Sequence, residues 1–284
     1  MSTAYRLEPI EEIIDVAFGT ARIRGAIPIS LILVADSGGG KSKMLSRYAG
    51  DSIHVTQSFT SQGLFELMQH DSENKIRFLL TADLNPTLSR KPATVEATVA
   101  NLLSVTADGT TRIDDGRQEK VCKHAPVGII TAVTPDLYHK QAKKWFALGL
   151  RRRIIPIFYT YSTETLAAIM EQVRKGKIDG SDFPEKKIEF PASPAYPAIG
   201  QLEASQLESL AQTLAQNLGK LNFRDGQVKK WVVRKVLPIS PVITLRSLAQ
   251  ARALAAKRGK VNADDVSFAR RFVDFTDPES PVKI

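Results

Sequence analysis

Apolar residues recur at helical spacing from Leu7 to Ile23 (Leu7, Ile10, Ile13, Ile14, Ala17), which predicts an amphipathic helix packed on the segment after it. At Pro28 the period changes. Pro28 to Val34 (PISLILV) is a continuous apolar run that ends in glycines, and it reads as a strand. Ile76 to Ala82 (IRFLLTA), Val127 to Val133 (VGIITAV) and Arg153 to Tyr161 (RIIPIFYTY) repeat that signature as buried strands, and Ile53 to Val55 is a short one. Helical patterns over Gly63 to His70, Thr94 to Val105 and Pro135 to Phe146 lie between them. Strands alternating with helices predict an α/β fold with a parallel, doubly wound sheet. Thr110 to Lys123 (TTRIDDGRQEKVCK) interrupts the alternation: its Asp-Asp-Gly turn between β-tolerant arms predicts a hairpin.

After Glu164 the β pattern stops. Leu166 to Lys175 predicts a helix, and Pro184, Pro191, Pro194 and Pro197 preclude regular structure over an extended connector of about residues 184–200. Gln201 to Leu218, Ile243 to Ala256 and Asn262 to Phe275 predict three helices, the last capped by Asn262. The expected organisation is an N-terminal helix and α/β nucleotide-binding core over residues 1–165, followed by a helical unit over 166–284.

Composition narrows the class. With 284 residues and 43% apolar content the chain can bury a substantial core, so disorder and collagen-like repeats are excluded. Cys122 is the sole cysteine, and His54, His70, His124 and His139 lack zinc-site spacing, which predicts a reducing, cytoplasmic setting. The acidic start, MSTAYRLEPIEEIID, is unlike a secretory signal, and no apolar run is long enough to span a bilayer, so no membrane partner is expected. The formal charge of +9 is unevenly distributed. Lys220 to Lys260 holds eleven bases against one acid, Asp225, so this segment carries the whole positive excess. Such a concentration suits a polyanion partner, although a solvated helical face has the same composition. Trp145 and Trp231 each follow a lysine pair, where either base stacking or simple core packing is open to them.

The sharpest chemical signal is Ala35-Asp36-Ser37-Gly38-Gly39-Gly40-Lys41-Ser42, which follows a strand, opens a helix, and matches GxxxxGK[ST] except for Ala35 in the first glycine position. Glycines let backbone N–H groups curl round a phosphate, Lys41 supplies a solvent-facing cation for phosphate oxygens, and Ser42 supplies a hydroxyl for Mg²⁺. ATP and Mg²⁺ are therefore the expected cofactors. Asp83, at the end of IRFLLTAD, stands where a second Mg²⁺ contact is needed, or else shapes an Asp-Leu-Asn-Pro corner. Leu84 occupies the next position, where a glutamate would polarise water. Thr134 follows VGIITAV at the strand end, where it either contacts the γ-phosphate or the attacking water or is an ordinary threonine before Pro135.

The order of these parts resembles an AAA+ ATPase over nearly the whole chain, and minichromosome maintenance-type helicases in particular. LVADSGGGKSKML is similar to their phosphate loop, and ITLRSLAQARALA followed by VNADDVSFA is similar to their sensor 2 helix and last lid helix. The resemblance implies that Thr134 is sensor 1, that Arg246 is sensor 2, and that Arg152, with Arg151 and Arg153 as rivals, is the arginine finger of a neighbouring subunit. It also implies a ring or filament of this chain with DNA as partner. The Thr110 to Lys123 hairpin would touch DNA through Arg112, Arg117, Lys120 and Lys123, and the basic segment through Lys229, Lys230, Arg234 and Lys235. Departures are Leu84, the triple arginine, and the lack of an N-terminal DNA-binding domain. The expected activity is a helicase-like motor or loader, and the alternative is a nucleotide-gated, chaperone-like remodeller or regulatory module that hydrolyses weakly.

Overall fold

A computed structural model describes residues 6–114, 118–175, 184–190, 194–225 and 228–284, without the side chains of residues 114, 222–225 and 228–230. Helix α1 (Glu8–Gly19) leads into β1 (Ser30–Val34), then α2 (Lys41–Ser46), β2 (Tyr48–Ala49) and β3 (Ile53–Val55). Next come α3 (Ser61–His70), β4 (Phe78–Leu80), α4 (Asn85–Leu88) and α5 (Pro92–Ala107). A hairpin, β5 (Thr110–Asp114) with β6 (Glu119–Lys123), precedes β7 (Gly128–Val133), α6 (Pro135–Ala147), β8 (Ile154–Thr160) and α7 (Thr163–Arg174). The remaining elements are β9 (Lys186–Lys187), α8 (Gln201–Gly219), β10 (Lys220–Asp225), β11 (Val228–Val233), α9 (Ile239–Ala255), α10 (Ala263–Asp274) and β12 (Val282–Lys283).

Six parallel strands form one sheet in the order β12, β8, β1, β7, β4, β3. Its central strands are apolar on both faces because both faces are covered. Leu31, Leu33, Phe78, Leu80, Ile130 and Ile157 point into a layer shared with α1, α8, α9 and α10. Ile32, Val34, Leu79, Ile129 and Phe158 point the other way, against α3, α5 and α6. Each such aliphatic side chain contributes about 1.5–3 kcal/mol when fully buried. The α/β prediction therefore holds, and the C-terminal helices share a core with the sheet.

The C-terminal half departs from the pattern-based reading in three ways. First, β structure does not end at Glu164. β12 extends the central sheet beside β8, while Lys220 to Val233 holds an antiparallel β10–β11 ladder with Arg224 opposite Lys229. Second, much of the basic segment is thus strand, not a helical face; Asp225-Gly226 between β-tolerant arms is the same turn signal that marks the first hairpin. Third, the proline-rich connector is extended yet tied down: β9 pairs with β2, and Ala195 and Ala198 bridge to Ile23 and Lys260. Prolines stop helices there, but isolated N–H and C=O groups between them still pair with neighbouring strands.

Candidate functional site

The loop after β1 is shaped by its glycines. Gly38 and Gly40 adopt φ of 81° and 71°, left-handed values that other residues reach only with strain. Between them Gly39 donates to the Asp36 carbonyl at 3.2 Å, and its own carbonyl accepts from the Tyr159 and Tyr161 hydroxyls at 3.2 and 3.1 Å. These tyrosines, two apart on and just beyond β8, anchor the loop from the neighbouring strand. Sequence reasoning missed them, because an aromatic in a strand gives no hint of what its hydroxyl meets.

Lys41 is not the solvent-facing charge that its motif suggests. It is 9% exposed, and its Nζ donates to the Ala35 and Asp36 carbonyls at 2.5 and 2.6 Å. Burial pushes its pKa below the ordinary lysine value, against the opposing pull of the Asp36 and Asp83 carboxylates. Ser42 Oγ donates to the Ala82 carbonyl at 3.3 Å, which draws the loop to the end of the Asp83 segment. Asp83 is exposed, and its Oδ1 accepts from the Asn85 backbone N–H at 2.8 Å. It therefore shapes the corner into α4 while keeping its charge close enough to influence Lys41. Leu84 is 5% exposed and packed in the apolar layer beneath. Thr134 is half-buried at the N-cap of α6, but its side chain makes no capping bond.

Ser37 to Lys43, Ala82, Asp83, and Ala132 to Thr134 enclose a cleft of about 310 Å³ at the C-terminal ends of β1, β4 and β7. The strand order explains this convergence, since β7 lies between β1 and β4. Loop, acid and hydroxyl, far apart in sequence, open onto one hollow, in keeping with ligand sites of open parallel sheets.

The other predicted residues lie elsewhere. Arg151 is 2% exposed, its Nη1 bonded to the Lys220 carbonyl at 2.6 Å and its guanidinium 5.5 Å from the Tyr138 ring, so it cannot reach another molecule. A short 3₁₀ turn, Leu150–Arg152, sends Arg151 inward and leaves Arg152 and Arg153 exposed. Arg246 does not join the cleft: it is exposed on α9 and 3.5 Å from Glu208. Its neighbours Ile243 and Ser247 line a small hollow with Ile27 and Arg153, beside the N-terminal ends of β1 and β8. Arg112, Lys120 and Lys123 are exposed along the first hairpin, where the Asn101 side chain clips both backbone groups of Arg112. Arg117 lies outside the described residues, as do the side chains of Lys229 and Lys230; Arg234 and Lys235 are exposed. No known family and no curated protein matches the chain.

Proposed function

We propose that the chain binds ATP with Mg²⁺ in the cleft beyond β1, β4 and β7 and, assembled as a ring or filament, acts on DNA as a helicase-like motor or loader. The observation that carries this reading is the convergence of Lys41, Ser42, Asp83 and Thr134 on one hollow. A phosphate suits the glycine loop, which is tight at Gly39, where a Cβ would lie 3.0 Å from the Asp36 carbonyl oxygen, and left-handed at Gly38 and Gly40. Lys41 is the cation for that phosphate, exchanging its two loop carbonyls for phosphate oxygens. The Ser42 hydroxyl and the Asp83 carboxylate are hard oxygen donors of the kind Mg²⁺ accepts when phosphates complete its shell. When bound, the ion supplies charge neutralisation at the phosphates, and Thr134 is available to orient what approaches them.

Assembly in trans is consistent with the distribution of exposed groups. Leu166, Met170 and Val173 form an exposed apolar stripe on α7, the helix that leaves the phosphate-loop end of β8. Ile27 and Ile243 are exposed near Arg152 and Arg153, at the other end of the sheet. A head-to-tail contact between two such unlike faces would turn an arginine towards the next copy's phosphate loop. A second reading, the nucleotide-gated remodeller or regulatory module with weak hydrolysis, is favoured by Leu84, which puts apolar packing where a water-polarising carboxylate would act.

The ATPase rate with and without single- and double-stranded DNA separates the two readings: stimulation by DNA is expected for the motor, and a slow, unresponsive rate points to the gated module. Mixing Lys41→Ala protein with Arg152→Ala/Arg153→Ala protein should restore turnover at about a quarter of the boundaries of a random head-to-tail assembly. Mixtures that stay inactive despite demonstrated subunit exchange would rule out the arginines acting in trans.

A further inference from the structure

A hollow of about 360 Å³ lies where α6 ends and the second hairpin begins and returns. Four cations line it: Lys143 from α6, Arg152 from the 3₁₀ turn, and Arg234 and Lys235 from the segment leaving β11. Phe146 and Leu237 contribute to its apolar wall, and among the described residues none of its lining side chains is acidic. The sequence separates these groups by about ninety residues, and only the fold unites them.

The frame around the hollow is built rather than incidental. Buried Arg151 fastens the first strand of the hairpin through the Lys220 carbonyl. Arg234 fastens the second, its backbone N–H donating to the Gly219 carbonyl at 2.9 Å. A Cβ on Gly219 would lie 2.1 Å from the Arg234 carbonyl oxygen, so the close approach needs glycine. The nearby acids Asp277 and Glu279 are engaged by Lys220 at 2.8 and 3.1 Å, outside the hollow. One turn back along α6, His139 packs edge-on against Trp231 of the hairpin, with ring centroids 5.8 Å apart.

We propose that this hollow holds one nucleotide unit of a single-stranded nucleic acid, its phosphates on the four cations and its base against Phe146. Guanidinium forks suit phosphate oxygens, and an aromatic wall offers stacking that only an unpaired base can use. The assignment rests on the reading of the chain as DNA-acting, and it moves Arg152 from a neighbour's ATP to this chain's own nucleic-acid contact, leaving Arg153 for the trans role.

The test is fluorescence anisotropy of a labelled oligothymidylate over a salt series, with wild type, Arg152→Ala, Arg234→Ala, Phe146→Ala and, as control, Lys144→Ala, whose ammonium pairs with Glu96 at 2.7 Å outside the hollow. Each arginine variant should bind roughly three- to tenfold more weakly and reduce the salt slope by about 0.7. Phe146→Ala should bind roughly fivefold or more weakly with an unchanged slope, and Lys144→Ala should match wild type. Wild-type binding that all four variants retain would overturn the assignment while leaving DNA action intact. Failure of wild type to bind at low salt would overturn both. Displacement of the oligonucleotide by polyglutamate as effective as by unlabelled oligothymidylate would make the hollow a general polyanion surface and overturn the nucleotide-unit assignment.

Discussion

The two hollows at opposite ends of the sheet are both cationic, but they are made of different material. At the C-terminal strand ends the cleft is lined mostly by glycines and other small residues, and its lysine is buried and already bonded to carbonyls. At the far end, four cations on flexible stems surround an apolar wall. A site made of backbone fixes the shape of its ligand, since the positions of its N–H groups are set by φ and ψ. A site made of long side chains fixes charge first, and any finer selection there has to come from its apolar wall, where Phe146 lies. The difference separates a site set by backbone geometry from one set by side-chain charge and an aromatic face.

The comparison breaks most decisively at Lys41. Lys41→Ala removes charge-assisted hydrogen bonds worth about 1.5–3 kcal/mol in total, so ATP should bind roughly 10- to 150-fold more weakly by calorimetry. Oligonucleotide affinity in the absence of ATP should stay at the wild-type level, and a parallel loss of both would show that one site serves both ligands.

Gly219→Ala probes the opposite end. The added methyl meets backbone, not a flexible side chain, so the hairpin root must shift. A loss of about 1–3 kcal/mol in denaturant unfolding is expected, with weaker oligonucleotide binding and unchanged ATP affinity.

The smallest effect is a titration. On the proposed reading ATP favours the protonated Lys41, whose pKa burial depresses below the ordinary lysine value, so affinity should begin to fall, by a few-fold, at a pH lower than an exposed lysine would give. Lys41→Arg should abolish this alkaline decline, because guanidinium does not titrate there. Asp83→Asn, which removes a carboxylate that raises the Lys41 pKa, should move the decline to lower pH.

The core and the cleft were legible in sequence because each rests on a strong local signal. PISLILV can bury both faces, and consecutive glycines before Lys41 suit few conformations other than a tight loop. The second hairpin was obscured because Lys229, Lys230 and Arg224 dominate its composition and hide the β-tolerant spacing of Leu221, Phe223, Trp231 and Val233. β12 is two residues long and gives no periodicity to read. The arginine triplet shows a different limit. Arg151, Arg152 and Arg153 are chemically identical, and only the turn following α6 decides that the first is interior. Arg246 lies away from the cleft, beside Glu208, for a related reason: a position within a helical pattern does not reveal which end of the sheet the helix approaches.

Helix α6 has its N-cap at Thr134 in one hollow and carries Lys143 and Phe146 into the other. Its thirteen residues make a rod of about 20 Å. One helix thus borders both hollows, and if a ligand at one end shifts it, linkage requires a ligand at the other end to shift it back with the same coupling energy.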